Sequence, residues 1–141
     1  MCTVIKSGYK LCGNITFNDI FNICPYEDTI VILSLNYAEL RKIIEEQDIY
    51  KDKYRKKLGL YGVNPAEKGK ITNLNKQNLL HFFKGKDKAN VAFSSYDVAG
   101  AGNRYPVLRK IAIKTDARAL DTQIPLRDAV VKYIRNKSLE K

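Results

Sequence analysis

The run Thr29-Ile-Val-Ile-Leu-Ser-Leu35 constrains the fold more than any other part of the chain. Branched side chains crowd the turns of a helix but sit well on a pleated strand. A run this continuously apolar predicts a strand covered on both faces near the centre of a sheet, because a half-solvated strand would alternate. Asn36 follows at once as an N-cap, with Glu39 in the reciprocal capping position. Leu40, Ile43, Ile44, Gln47, Tyr50, Tyr54 and Leu58 then recur at helical spacing, which predicts a long helix over 37–58.

The remaining punctuation organises the rest of the chain. Gly8 and Gly13-Asn14 break the opening stretch into short strands or a hairpin, and Thr16 with Asp19 caps one or two helical turns before Pro25. Gly59, Gly62, Asn64 and Pro65 end the long helix and open a basic, polar loop through Lys68, Gly69 and Lys70. Asn75 and Gly85 bound a short helix over 75–84. Segments 89–98 and 107–115 read as two strands joined through a Gly-rich loop, a hairpin over 89–115. Pro125 opens a last helix over 125–137, with Leu126, Ala129, Val130, Tyr133 and Ile134 as its apolar stripe.

A length of 141 residues suits one hydrophobic core, and 45% apolar residues with nine Tyr and five Phe supply it. The expected class is α+β: a single compact domain, 1–141, with a mixed or antiparallel sheet around a central buried strand at 29–35. No repeat or linker divides it. No apolar stretch is long enough to span a membrane and no signal-peptide pattern opens the chain, so the expected location is the cytoplasm or the inside of a macromolecular particle, with no secretion and no membrane partner. Cys2, Cys12 and Cys24 are widely spaced and odd in number, which fits reduced thiols and offers no metal pattern. Neither a metal nor another cofactor is expected.

Charge is the second constraint. The formal net charge is +10, yet residues 1–50 hold four Lys/Arg against seven Asp/Glu, and residues 51–141 hold the other twenty-one against eight. The first part is therefore near −3 and the rest near +13. Concentrated positive potential attracts polyanions in a salt-dependent way. Two clusters interleave basic and aromatic residues, the pattern that meets phosphates and stacks on bases. One is Tyr50, Lys51, Lys53, Tyr54, Arg55, Lys56, Lys57 and Tyr61 at the end of the long helix. The other is Arg104, Tyr105, Arg109, Lys110 and Lys114 on the expected hairpin, whose even-numbered strand face would have to be exposed. Part of the first cluster also has a structural reading, since cations late in a helix complement its dipole.

Catalytic patterns are incomplete. Gly100-Ala-Gly-Asn-Arg-Tyr-Pro106 is the stretch best suited to a phosphate, but Tyr105 and Pro106 stand where a dinucleotide fingerprint needs a third Gly and a helix start. Gly69-Lys70 lacks the first Gly and the Ser or Thr of a P-loop. His81 sits in an aromatic helix and reads as a core histidine without a nucleophile to serve.

An acidic helix with Glu45 and Glu46, a strand ending at Asp97, a second strand ending at Lys114 and a basic helix resemble the order of a metal-dependent nuclease core of the PD-(D/E)xK type. That resemblance implies carboxylates holding magnesium and a Lys that helps activate water. Ala112 occupies the place of the second carboxylate, so a degenerate relative is the form it implies.

The function expected from these residues is a non-enzymatic basic module that contacts nucleic acid, or another polyanion, through phosphate-directed Lys51, Lys53, Arg55, Lys56, Lys57, Arg104, Arg109, Lys110 and Lys114. The alternative is a structural subunit of a larger assembly, a virion or a ribonucleoprotein particle, whose other partners are protein subunits.

Overall fold

The computed structural model describes residues 2–4, 10–54, 61–64, 70–83, 85–114 and 119–139. In chain order these form β1 (Cys2–Val4), β2 (Lys10–Cys12), α1 (Phe17–Ile23), β3 (Thr29–Asn36), α2 (Tyr37–Tyr54), β4 (Tyr61–Asn64), β5 (Lys70–Asn73), α3 (Leu79–Phe83), β6 (Lys88–Ser94), α4 (Ser95–Val98), α5 (Pro106–Lys114), β7 (Ala119–Pro125) and α6 (Leu126–Leu139). The class is α+β, with a three-stranded antiparallel sheet in the order β6-β3-β7 and two separate hairpins, β1-β2 and β4-β5.

The apolar run becomes the central strand. β3 pairs with β6 from Ile30 opposite Ser94 to Asn36 opposite Lys88, and with β7 through Val31 opposite Asp121 and Leu33 opposite Ala119. A bulge interrupts the second ladder, where the Thr122 hydroxyl donates to the Ile30 carbonyl (2.7 Å) and Gln123 takes a left-handed φ of 57°. Inserting residues this way bends a strand and spoils its outer edge as a template for further pairing.

β3 nevertheless alternates. Val31, Leu33 and Leu35 are buried, whereas Ile30, Ile32 and Ser34 are only half-buried, so one sheet face carries the core and not both. Against that face lie Leu40, Ile43 and Ile44 of α2, Leu79 and Phe83 of α3, Phe93 of β6, and Leu108, Ile111 and Ala112 of α5. Tyr37 meets Phe83 edge to face at 5.8 Å.

Local capping chemistry explains the helix starts. Asn36 N–H donates to the Glu39 carboxylate and Glu39 N–H to the Asn36 amide oxygen, both at 2.9 Å. Thr16 and Asp19 make the same reciprocal pair at α1, and these bonds to Thr16 hold the Asp19 carboxyl below its ordinary value. Asn75 accepts from Gln77 and Asn78 ahead of α3, and Gly85 ends that helix at φ +76°.

Four expectations are corrected. The hairpin over 89–115 does not form: β6 pairs with β3, and 106–114 is helical, since Pro106 at the first helical position presets the turn and Leu108, Ile111 and Ala112 close onto the core at i, i+3, i+4. The polar segment after the long helix contains the β4-β5 hairpin. Residues 119–125 form β7, so Pro125 closes a strand and the last helix starts at Leu126. His81 is exposed while its neighbours Leu79 and Phe83 turn inward, so it is not a core histidine.

Candidate nucleic-acid interface

Helix α5 is where the second basic cluster becomes a surface. With Leu108, Ile111 and Ala112 committed to the core, the rotation of the helix leaves Pro106, Arg109, Lys110, Ile113 and Lys114 exposed together. From Arg109 to Lys114 the rise is about 7.5 Å, and α5 contains no acidic residue. Lys114, in the last turn, also complements the helix dipole.

The start of α5 is held by a carboxylate from far along the chain. Glu46 of α2, only 9% exposed, accepts from Val107 N–H at 2.6 Å and from Leu108 N–H at 3.0 Å. Those are two of the donors a helix start leaves orphaned, and the ones an external phosphate would need. The amides just past the 100–106 loop are therefore taken by an internal anion, and within the loop Gly100, Ala101 and Tyr105 N–H already donate to backbone carbonyls. With its N-terminal donors taken, α5 offers its side chains and not its end.

The loop ahead of α5 is backbone-strained. Gly100, Ala101, Gly102 and Asn103 all have positive φ, and Ala101 is 1% exposed in the core. A left-handed Ala costs roughly 1–2 kcal/mol. Arg104 then folds back: its Nε donates to the Ala101 carbonyl at 2.8 Å, one Nη to the Tyr96 hydroxyl at 3.1 Å, and its guanidinium lies 5.4 Å from the Tyr96 ring centre. Arg104 is thus fastened to the loop, while Tyr105 is buried. A Cβ at Gly100 would stand 3.1 Å from Cδ of Arg109, so the Arg109 stem lies across the glycine. We expect Gly100→Ala to cost about 1–3 kcal/mol, through a φ of +101° and this contact, read as a lower urea midpoint.

The other expected site residues fall elsewhere. Lys51 and Lys53 lie in the last turns of α2, while Arg55, Lys56 and Lys57 lie outside the described residues. The nuclease-like arrangement is not formed, because Asp97 is in α4 and Lys114 ends a helix, so no pair of adjacent strands carries them. The helical acids it would have borrowed are already engaged. Glu46 caps α5, and Glu45 meets Arg41 at 3.2 Å and Lys76 at 3.7 Å. Among the described residues no group of three metal-ligating side chains occurs, and no helix is long and apolar enough to cross a membrane.

Two titratable groups just ahead of β3 are shifted by burial. Burial pushes the Cys24 thiol up, with Arg127 opposing and Asp28 adding, so it stays protonated at neutral pH. Burial and the nearby Asp97 carboxylate also push Asp28 up. A carboxyl raised in the folded state contributes stability that is complete below the unfolded value of 3.8 and lost as pH climbs through the raised one. Asp28 is therefore a net cost at pH 7. Asp28→Asn is expected to raise the thermal midpoint at pH 7 and to change it little near pH 3, as a pair of melting curves would show.

Tyr96 and Ile113 join this surface without having been singled out in the sequence. For Ile113 the available signal is Pro106, which presets a helix over 106–114; Tyr96 joins only through its contact with Arg104, and Tyr105 is in the core.

No protein-family model and no curated protein matches the chain. Among solved structures, one of Haemophilus influenzae NAD nucleotidase (NadN) is similar, with a TM-score of 0.58 and 17% identity over 90% of this chain and 25% of that one. The likeness shows a shared fold, and the chain spans about a quarter of the length of that structure.

Proposed function

We propose that the chain is a basic binding module that contacts nucleic acid through the outward face of α5, with Arg109, Lys110 and Lys114 directed at phosphates. One observation carries the reading: three cations and no acid share the exposed side of one short helix whose other side is locked into the core. A duplex presents on the order of four phosphate charges over the about 7.5 Å these cations span. Arg104 and the half-exposed Tyr96 extend the surface at the N-terminal end of α5. Such contacts position a backbone and carry little base readout.

Binding to a mixed-sequence oligonucleotide, single- and double-stranded, tests this. The expected result is association that weakens steeply as salt rises; absent or salt-indifferent binding removes the reading. The name of the similar enzyme supplies the second ligand class, a dinucleotide such as NAD, whose arm in the same titration separates a small phosphorylated ligand from a polymer.

A further inference from the structure

Six of the ten large apolar side chains left in solvent among the described residues fall in adjoining elements. Phe17, Phe21, Tyr26, Leu120, Ile124 and Tyr133 are each between 48% and 75% exposed, and all belong to α1, the segment after it, β7 or α6. These pieces are joined. Arg127 of α6 stacks 4.0 Å over the Phe21 ring and donates to the Cys24 carbonyl, and Leu126 N–H donates to the Asp28 carbonyl at 2.7 Å. Leu120 stands opposite Ile32, on the sheet face turned away from the core. Ile20 is buried outside the main cluster, beside a cavity of about 100 Å³ between α1 and α6. No described side chain of α6 is fully buried.

We propose that this surface is an interface with a second copy of the chain. Charge argues for that occupant: residues 17–28 carry Asp19, Glu27 and Asp28 with no cation, whereas residues 126–136 carry Arg127, Lys132 and Arg135 against Asp128 alone. Arg127 is spent within its own chain on Phe21 and Cys24, and a two-fold arrangement sets the exposed Lys132 of one copy toward the exposed Glu27 of the other, and does so twice. Area argues for it as well. Large apolar side chains bury roughly 150–250 Å² each, so six at this exposure offer on the order of 600 Å². Stable pairs bury about 800 Å² per partner, a total the polar rim completes. A dimer of this kind carries two α5 faces.

Sedimentation of the nuclease-treated full chain, from about 1 μM to about 1 mM, tests the interface. A concentration-dependent dimer is expected. Tyr26→Ala with Tyr133→Ala, and separately Lys132→Glu, raise its dissociation constant at least about tenfold with unchanged circular dichroism. Leu80→Ser, an exposed apolar site on α3, leaves it unaltered. A monomer throughout the range, a dimer indifferent to the Tyr26, Tyr133 and Lys132 changes, or association that disappears with nuclease treatment would each overturn the proposal.

Discussion

Glu46→Ala is expected to lower stability by about 3 kcal/mol, a large share of what holds a domain of this size together. The carboxylate is buried and accepts from two consecutive amides of α5 that no other group is placed to satisfy within the helix. Removing it leaves two desolvated donors and a space the size of the side chain, and either consequence alone costs on the order of 1–3 kcal/mol. Glu46→Gln keeps one acceptor oxygen and is expected to lose roughly half as much, which separates charge and bonding from volume. Urea unfolding followed by circular dichroism gives both numbers. Should Glu46→Ala unfold at the same midpoint as the parent chain, the docking of α5 on α2 would rest on apolar contact alone.

The second large effect is on binding. Replacing Arg109, Lys110 and Lys114 together by Ala removes about three phosphate contacts and is expected to weaken oligonucleotide binding by about 100-fold or more near physiological salt. Stability should fall by only about 1 kcal/mol, from the lost dipole partner at Lys114 and the lost Arg109 stem over Gly100, because all three side chains are exposed and the core side of α5 is untouched. Replacing His81 and Lys86, which lie on and after α3, is an off-site control that removes one formal charge and should change affinity by less than about twofold. If the α5 variant binds as well as the parent, phosphate contact is made elsewhere on the chain.

How much of this was legible in the sequence depends on the kind of signal. Cap chemistry is written locally, so Thr16 with Asp19, Asn36 with Glu39, and Gly85 located their helix ends well, whereas Asn75 holds a turn over 76–78 and α3 starts only at Leu79. The central strand was legible for the same reason, although its second face proved only half covered. Val107-Leu-Arg-Lys-Ile-Ala-Ile-Lys114 was ambiguous because a short branched stretch fits both periods, and only Pro106 pointed to a helix. β7 was hidden by exposure on both faces and by its bulge, which leave no alternation to read.

The candidate surface followed the same division. The cations at Arg104, Arg109, Lys110 and Lys114 stood out by charge, but the expected strand would have placed Lys110 and Lys114 beside Leu108 and Ala112. The helix sets Lys110 and Lys114 beside Arg109 and Ile113 instead. Glu46 illustrates what no local pattern carries. Its role depends on an amide pair 61 and 62 residues away, and only the assembled fold brings them within 3.0 Å.

The dependence of binding on salt tests the central claim most directly. For a duplex oligonucleotide, each phosphate neutralised contributes about 0.9 to the slope of log affinity against log salt. The account predicts a clearly negative slope for the parent chain, shallower by about 2–3 when Arg109, Lys110 and Lys114 are replaced. Equal slopes for the two proteins would contradict it.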